Sequence, residues 1–108
     1  MSDKNFLFPR PLFSTGKVVI TRGARDLLHR VGVEATDLLV RHTHGDWFDL
    51  CFDDQARNVK AVARGSRVFT SFSLGSPPDV EKVFVITEHD RSSSTIVLAK
   101  EYLWAALS

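Results

Sequence analysis

Residues 67–98, RVFTSFSLGSPPDVEKVFVITEHDRSSSTIVL, break into three runs rich in β-branched and aromatic side chains, separated by two polar stretches. From Arg67 to Leu74 the chain alternates, with Val68, Thr70, Phe72 and Leu74 on one side, the period of two that marks a strand. Gly75-Ser76-Pro77-Pro78-Asp79 is a turn cluster. Lys82 to Thr87 is a second strand, with Val83 and Val85 opposite Phe84 and Ile86. Glu88 to Ser93 is a polar connection, and Ser94 to Leu98 a third strand. Three consecutive strands on short connections predict an antiparallel meander.

Helical patterns lie on both sides of this block. Downstream, Lys100 to Leu107 reads as a short helix that packs Tyr102, Leu103, Trp104 and Leu107. Upstream, Asp53 to Arg64 is the clearest helix: Asp53 and Asp54 sit at the positive end of its dipole, Gly65 stops it, and Ala56, Val59, Val62 and Ala63 supply a modest apolar face. Thr36 to His42 suits a helix or a buried strand. Thr36 as a cap and Gly45 as a terminator favour the helix. Val18 to Thr21 is a β-branched strand. It leads at Thr21 or Arg22 into a helix whose Ala24, Leu27, Leu28 and Val31 form one apolar stripe ended by Gly32. Helices followed by a run of strands predict an α+β fold, with N-terminal helices packed on one face of a small antiparallel β-meander sheet.

Residues 1–14 form an arm. Phe6, Leu7, Phe8, Leu12 and Phe13 are too apolar for a free tail, and Pro9 and Pro11 forbid a regular helix. An extended arm over the core, or at a homodimer interface, is expected. Residues 15–108 then make a single α+β domain, since 108 residues hold one core and not two. A composition 44% hydrophobic and 25% charged excludes general disorder. A net charge of +1 excludes both a strongly basic nucleic-acid binder and an acidic DNA mimic, though not a local basic patch. The one cysteine, Cys51, makes no internal disulfide and fits a reducing compartment. No signal-peptide core or membrane span is found, so a soluble cytoplasmic protein without membrane contact is expected.

The densest polar cluster is Arg41-His42-Thr43-His44-Gly45-Asp46-Trp47. It admits three readings. In the first, His42, His44 and Asp46 ligate a metal, with Asp49, Cys51 and Asp53 nearby. Their H-x-H-x-D order is that of metallo-β-lactamase-like hydrolases, but Trp47 stands where those continue with histidine, and no distant second ligand set is visible. In the second, His42 is a general acid–base oriented by Asp46, Arg91 steadies an anion with its planar fork, and Thr95 or Ser94 supplies a hydroxyl. That set suffices for metal-free RNA cleavage. In the third, Asp46 caps a turn, Trp47 fills the core, His42 is a satisfied buried histidine, and Arg91 and Asp90 form a hairpin ion pair. Cys51, between Leu50 and Phe52, reads as a buried small hydrophobe, and His29 as exposed. Gly16-Lys17 and Gly23 match no phosphate-binding fingerprint.

The stretches Thr15–Thr21, Arg41-His42 with Gly45-Asp46-Trp47, Gly65–Val68, Val85–Thr87, Asp90-Arg91-Ser92, Thr95–Leu98 and Glu101-Tyr102 together resemble a family of small proteins carried by plasmids, integrative elements and phages. Members are labelled plasmid-related or attached to type I restriction-modification subunits. The chain departs from the family at Phe48, where members have glycine, and at Ala99-Lys100, where they have proline before the acidic-Tyr pair. The resemblance implies a mobile-element setting and brings no known activity. A weaker analogy runs to the barnase–colicin–RelE group of small ribonucleases.

The leading expectation is therefore a metal-independent, ribonuclease-like or nucleic-acid-processing domain needing no cofactor. Its catalytic residues are His42, Asp46, Arg91 and Thr95, and Arg41, Trp47 and Arg67 contact the RNA. The alternative is a non-enzymatic interaction module that modulates a host defence or transfer system through a host or element-encoded protein. That alternative predicts an exposed apolar patch and no cleft at His42.

Overall fold

The computed structural model describes residues 10–47 and 49–107. Its elements, in chain order, are β1 (Lys17–Ile20), α1 (Arg22–Val31), α2 (Ala35–Thr43), α3 (Phe52–Arg64), β2 (Val68–Leu74), β3 (Glu81–Thr87), β4 (Ser93–Leu98) and α4 (Ala99–Leu107). The fold is α+β, as expected. Among the described residues no helix is long and apolar enough to cross a membrane.

The sheet order is β1-β4-β3-β2. The meander β2-β3-β4 is antiparallel, with Val68 opposite Thr87 and Val85 opposite Ile96. The sheet as a whole is mixed, because β1 joins its far edge parallel to β4, Val18 opposite Ser94 and Ile20 opposite Ile96. Local pattern says nothing about a partner so distant in sequence, so the purely antiparallel expectation needs this correction.

Strand alternation divides the side chains between two faces. The first face carries Phe72, Leu74, Val83, Val85, Ile96 and Leu98, which form one core cluster with Ala24, Leu27 and Leu28 of α1 and Leu38 of α2. The apolar stripe of α1 explains its docking there. Thr21 caps it through Ala24 N–H, and Gly32 ends it in the left-handed region at φ 72°. The ambiguous segment is a helix. Its end is a left-handed Gly45 with the Asp46 N–H bonded back to Arg41 O at 2.9 Å, a glycine-dependent helix stop.

α3 lies against the free edge of β2. Asn58, buried, donates from Nδ2 to Phe69 O at 2.6 Å and accepts from Phe69 N–H at 3.1 Å. Asp49 accepts from Ser73 N–H at 2.9 Å. These side chains occupy backbone groups that an edge strand otherwise offers to another chain. The inward face of α3 is thus Asn58 and Ala61. The expected apolar face is corrected in part: Val62 packs against core, but Val59 is 60% exposed and Ala63 is exposed, and Phe52, outside that face, is 83% exposed. Cys51 is also exposed, not buried, because it sits at the N-cap of α3.

A smaller cluster of Trp47, Leu50, Ala61 and Val68 is covered by Leu12 and Phe13, and Leu12 N–H donates to Thr43 O. The described end of the arm therefore packs on its own core. The rest of the arm, and with it most of the expected dimer contact, lies outside the described residues. On the second sheet face, Phe69, Phe84 and Tyr102 of α4 make a chain of ring contacts.

Candidate functional site: a sealed histidine and an open cleft

His42 projects from α2 onto the first sheet face and is fully buried. Its Nδ1 lies 2.6 Å from Thr70 Oγ1 of β2, and its Nε2 2.8 Å from Thr87 Oγ1 of β3. Thr87 Oγ1 is 2.6 Å from Ser94 Oγ of β4, which donates to Thr15 O at 2.7 Å. Proton counting fixes the direction of this chain. A carbonyl oxygen only accepts, so Ser94 spends its hydrogen on Thr15 and must accept from Thr87. Thr87 has then spent its own hydrogen, so Nε2–H of His42 donates to it. A neutral imidazole leaves Nδ1 bare, and Thr70 donates there. Every group is satisfied, and among the described residues no buried side-chain nitrogen or oxygen lacks a partner.

Neutrality follows from the surroundings. Burial, and after it the charge of Arg91, pushes the His42 pKa from 6.5 down to about 3. The Phe13 ring stands edge-on to the imidazole, centroids 5.1 Å apart, and Arg91 Cζ lies 5.3 Å from the Phe13 ring centre. Phe13 therefore packs against both residues, an apolar neighbour that adds no hydrogen bond to the imidazole. Arg91 itself donates to three backbone carbonyls: Ser66 O, Glu88 O at 3.1 Å and Ala61 O at 3.1 Å. It ties the β3–β4 turn to the C-terminal end of α3, where a cation is favoured. Its own φ of 61° is a left-handed conformation unusual for a side-chain-bearing residue.

The other sequence-nominated residues fall in different places. Asp46 accepts from Arg41 Nε at 2.8 Å, and Arg41 Cζ sits 4.6 Å over the Phe72 ring. The hydroxyls of Thr70 and Thr87, not Asp46, orient His42. Trp47 is buried and donates from Nε1 to His42 O at 2.8 Å, so its ring is core. Asp90 accepts from Ser92 N–H at 3.0 Å, so the Asp90–Arg91 ion pair of the structural reading is replaced by bonds to backbone. Among the described residues no three histidine, cysteine or acidic side chains converge as metal ligands.

Thr95 alternates with Ser94 and so faces away from His42, on the second sheet face. There it lines a cleft of about 300 Å³ together with Arg67. The floor is Ile86 and Val97, and Tyr102 of α4 forms one wall. Arg67 Nη2 donates to Tyr102 Oη at 2.9 Å. Two carboxylates that sequence reasoning missed, Glu88 and Glu101, complete the lining with Thr21. Glu101 Oε1 accepts from Thr21 Oγ1 at 2.7 Å and from Leu98 N–H at 3.0 Å. It thereby places negative charge at the N-terminus of α1, whose first turn has no acidic residue of its own. A Cβ on Gly23 would come within 2.5 Å of Glu101 Oε2. The glycine in the first turn of α1 was the visible signal of this close approach.

The sheet thus separates the nominated set. His42 and Ser94 share one face, Thr95 and Arg67 the other, and Arg91 closes the end of α3. No protein-family model, curated protein or solved structure matches the chain.

Proposed function

We propose that this chain is a non-enzymatic protein-interaction module. The observation that carries the reading is the outward apolar stripe of α3, where Phe52 and Val59 are among the most exposed large hydrophobic side chains described. Apolar side chains grouped on one helix face are more characteristic of contact surfaces than of solvated ones. The histidine best suited to acid–base chemistry, meanwhile, is sealed in a hydrogen-bonded core. The resemblance to mobile-element proteins supports a host or element-encoded protein as partner, in a defence or transfer system of the cytoplasm. A second reading, nucleic-acid processing, draws support from one observation: Arg67 and Thr95 line the same cleft.

The two readings part in one pair of measurements on the full chain. RNA cleavage with chelator present is expected to be absent in wild type. Concentration-dependent association, followed by sedimentation velocity alone and with candidate partner proteins, is expected to weaken in the Phe52→Ser, Val59→Ser double variant. Cleavage that is lost in a folded Thr95→Val or Arg67→Ala protein would overturn the interaction reading.

A further inference from the structure

The cleft on the second sheet face has a charge balance with a chemical consequence. Its lining holds two carboxylates, Glu88 and Glu101, against one guanidinium, Arg67. Arg67 is bonded to the Tyr102 hydroxyl and to no carboxylate among the described residues. Glu101 has Oε1 engaged by Thr21 and Leu98. Glu88 makes its bonds through the backbone, giving N–H to Ser93 O and carbonyl oxygen to Arg91; its carboxylate has no partner among the described residues. Between these carboxylates lies an apolar floor, Ile86 and Val97, beside the Tyr102 ring.

We propose that this cleft binds an organic cation: an alkylammonium or alkylguanidinium group on an apolar stem. The stem covers Ile86 and Val97. The cationic head takes the free carboxylate of Glu88, with the Thr95 hydroxyl as a further acceptor, and the Tyr102 ring adds the attraction of an aromatic face for a cation. An anionic ligand such as an RNA phosphate meets net negative charge in the same space and is disfavoured. The site volume, about 300 Å³, is at the small end of ligand pockets and suits one such group. The same chemistry arises in a free amine or in a lysine or arginine side chain of a polypeptide.

The test is an NMR titration of the full-length, isotope-labelled chain at fixed ionic strength. The probes are n-butylammonium and n-butylguanidinium, with n-butanol and butyrate as neutral and anionic controls of like stem, and a short single-stranded RNA. Saturable shifts centred on Glu88, Thr95 and Tyr102 are expected with the cations alone. Glu88→Gln is expected to weaken binding about tenfold, and Thr95→Leu, which fills the cleft, to abolish it, while Glu81→Gln leaves it unchanged. End-blocked lysine and arginine binding as tightly as the free amines identifies a side-chain source; weaker binding identifies a free amine. Cations that cause no saturable shift, equal binding of butanol, preferential binding of RNA in the cleft, or an unaltered affinity in Glu88→Gln would each overturn the assignment.

Discussion

Acidification should destabilise this protein through His42 in a pH range where carboxylates are still ionised. In the folded chain, burial and then the Arg91 charge hold the imidazole pKa at about 3, against 6.5 for the unperturbed group. Between those values the unfolded chain binds a proton that the folded chain refuses. The contribution is fully present above about pH 6.5 and is lost progressively as the pH falls towards 3. The slope approaches about 1.4 kcal/mol per pH unit. Going from about pH 7 to about pH 4.5 should therefore remove about 2.5 kcal/mol. That is a large share of the ~5–15 kcal/mol typical of a domain. Urea unfolding followed by circular dichroism across this range measures the loss. The ring resonances of His42, followed in parallel, should stay flat until the carboxylates titrate. A His42 midpoint near its unperturbed value, or a stability that is level across the range, would refute the neutral, polarised hydrogen-bond chain.

Outcomes for four further substitutions are expected. Thr87→Val leaves Nε2–H of His42 without an acceptor and Ser94 without a donor, and should cost about 1–3 kcal/mol. Thr95→Val, on the opposite face, should change stability by less than about 0.5 kcal/mol, and equal losses in denaturation would contradict the facing described. Gly23→Ala, ordinarily helpful in a helix by about 0.5–1 kcal/mol, should instead destabilise because its Cβ meets the Glu101 carboxylate. The usual sign should return in a Glu101→Ala background, whereas strict additivity in the double-mutant cycle argues against the contact. Asn58→Ala removes two bonds to Phe69 and should cost about 2–3 kcal/mol. It should also raise aggregation detected by light scattering, since the β2 edge is uncovered.

Much of the fold was legible because its signals are local. The α1 stripe, the turn cluster at 75–79 and the alternation of β2 are each complete within a dozen residues. The alternation puts Thr70 on one side with Val68 and Phe72, and the structure turns that side inward, so that a polar side chain needs a buried partner. What the alternation did not identify was that partner, because His42 lies 28 residues from Thr70 in sequence and 45 from Thr87. The reading of His42 as a satisfied core histidine was available, and the structure places it so. The catalytic grouping treated Ser94 and Thr95 as interchangeable hydroxyls, whereas a period of two sends them to opposite faces. Glu88 and Glu101 were assigned to no site for the same reason as the parallel β1: each acquires its meaning from a contact with a remote segment. The exposed Val59 shows the converse. Helical periodicity located an apolar face on α3, and only the sheet edge decided which side turned inward.

The pairing of β1 with β4 also bears on how the chain is made. Lys17 takes its place opposite Ser93, and Thr21 beneath Glu101, so β1 docks onto the strand that lies farthest from it along the described chain. While the intervening residues are translated, β1 and the start of α1 have no template, and their apolar groups remain open to chaperones and proteases. Closure of this long-range pairing should be the late, slow event of folding. A translation product that stops short of β4 would accordingly be not a slightly weakened protein but one in which β1 has no strand to pair with.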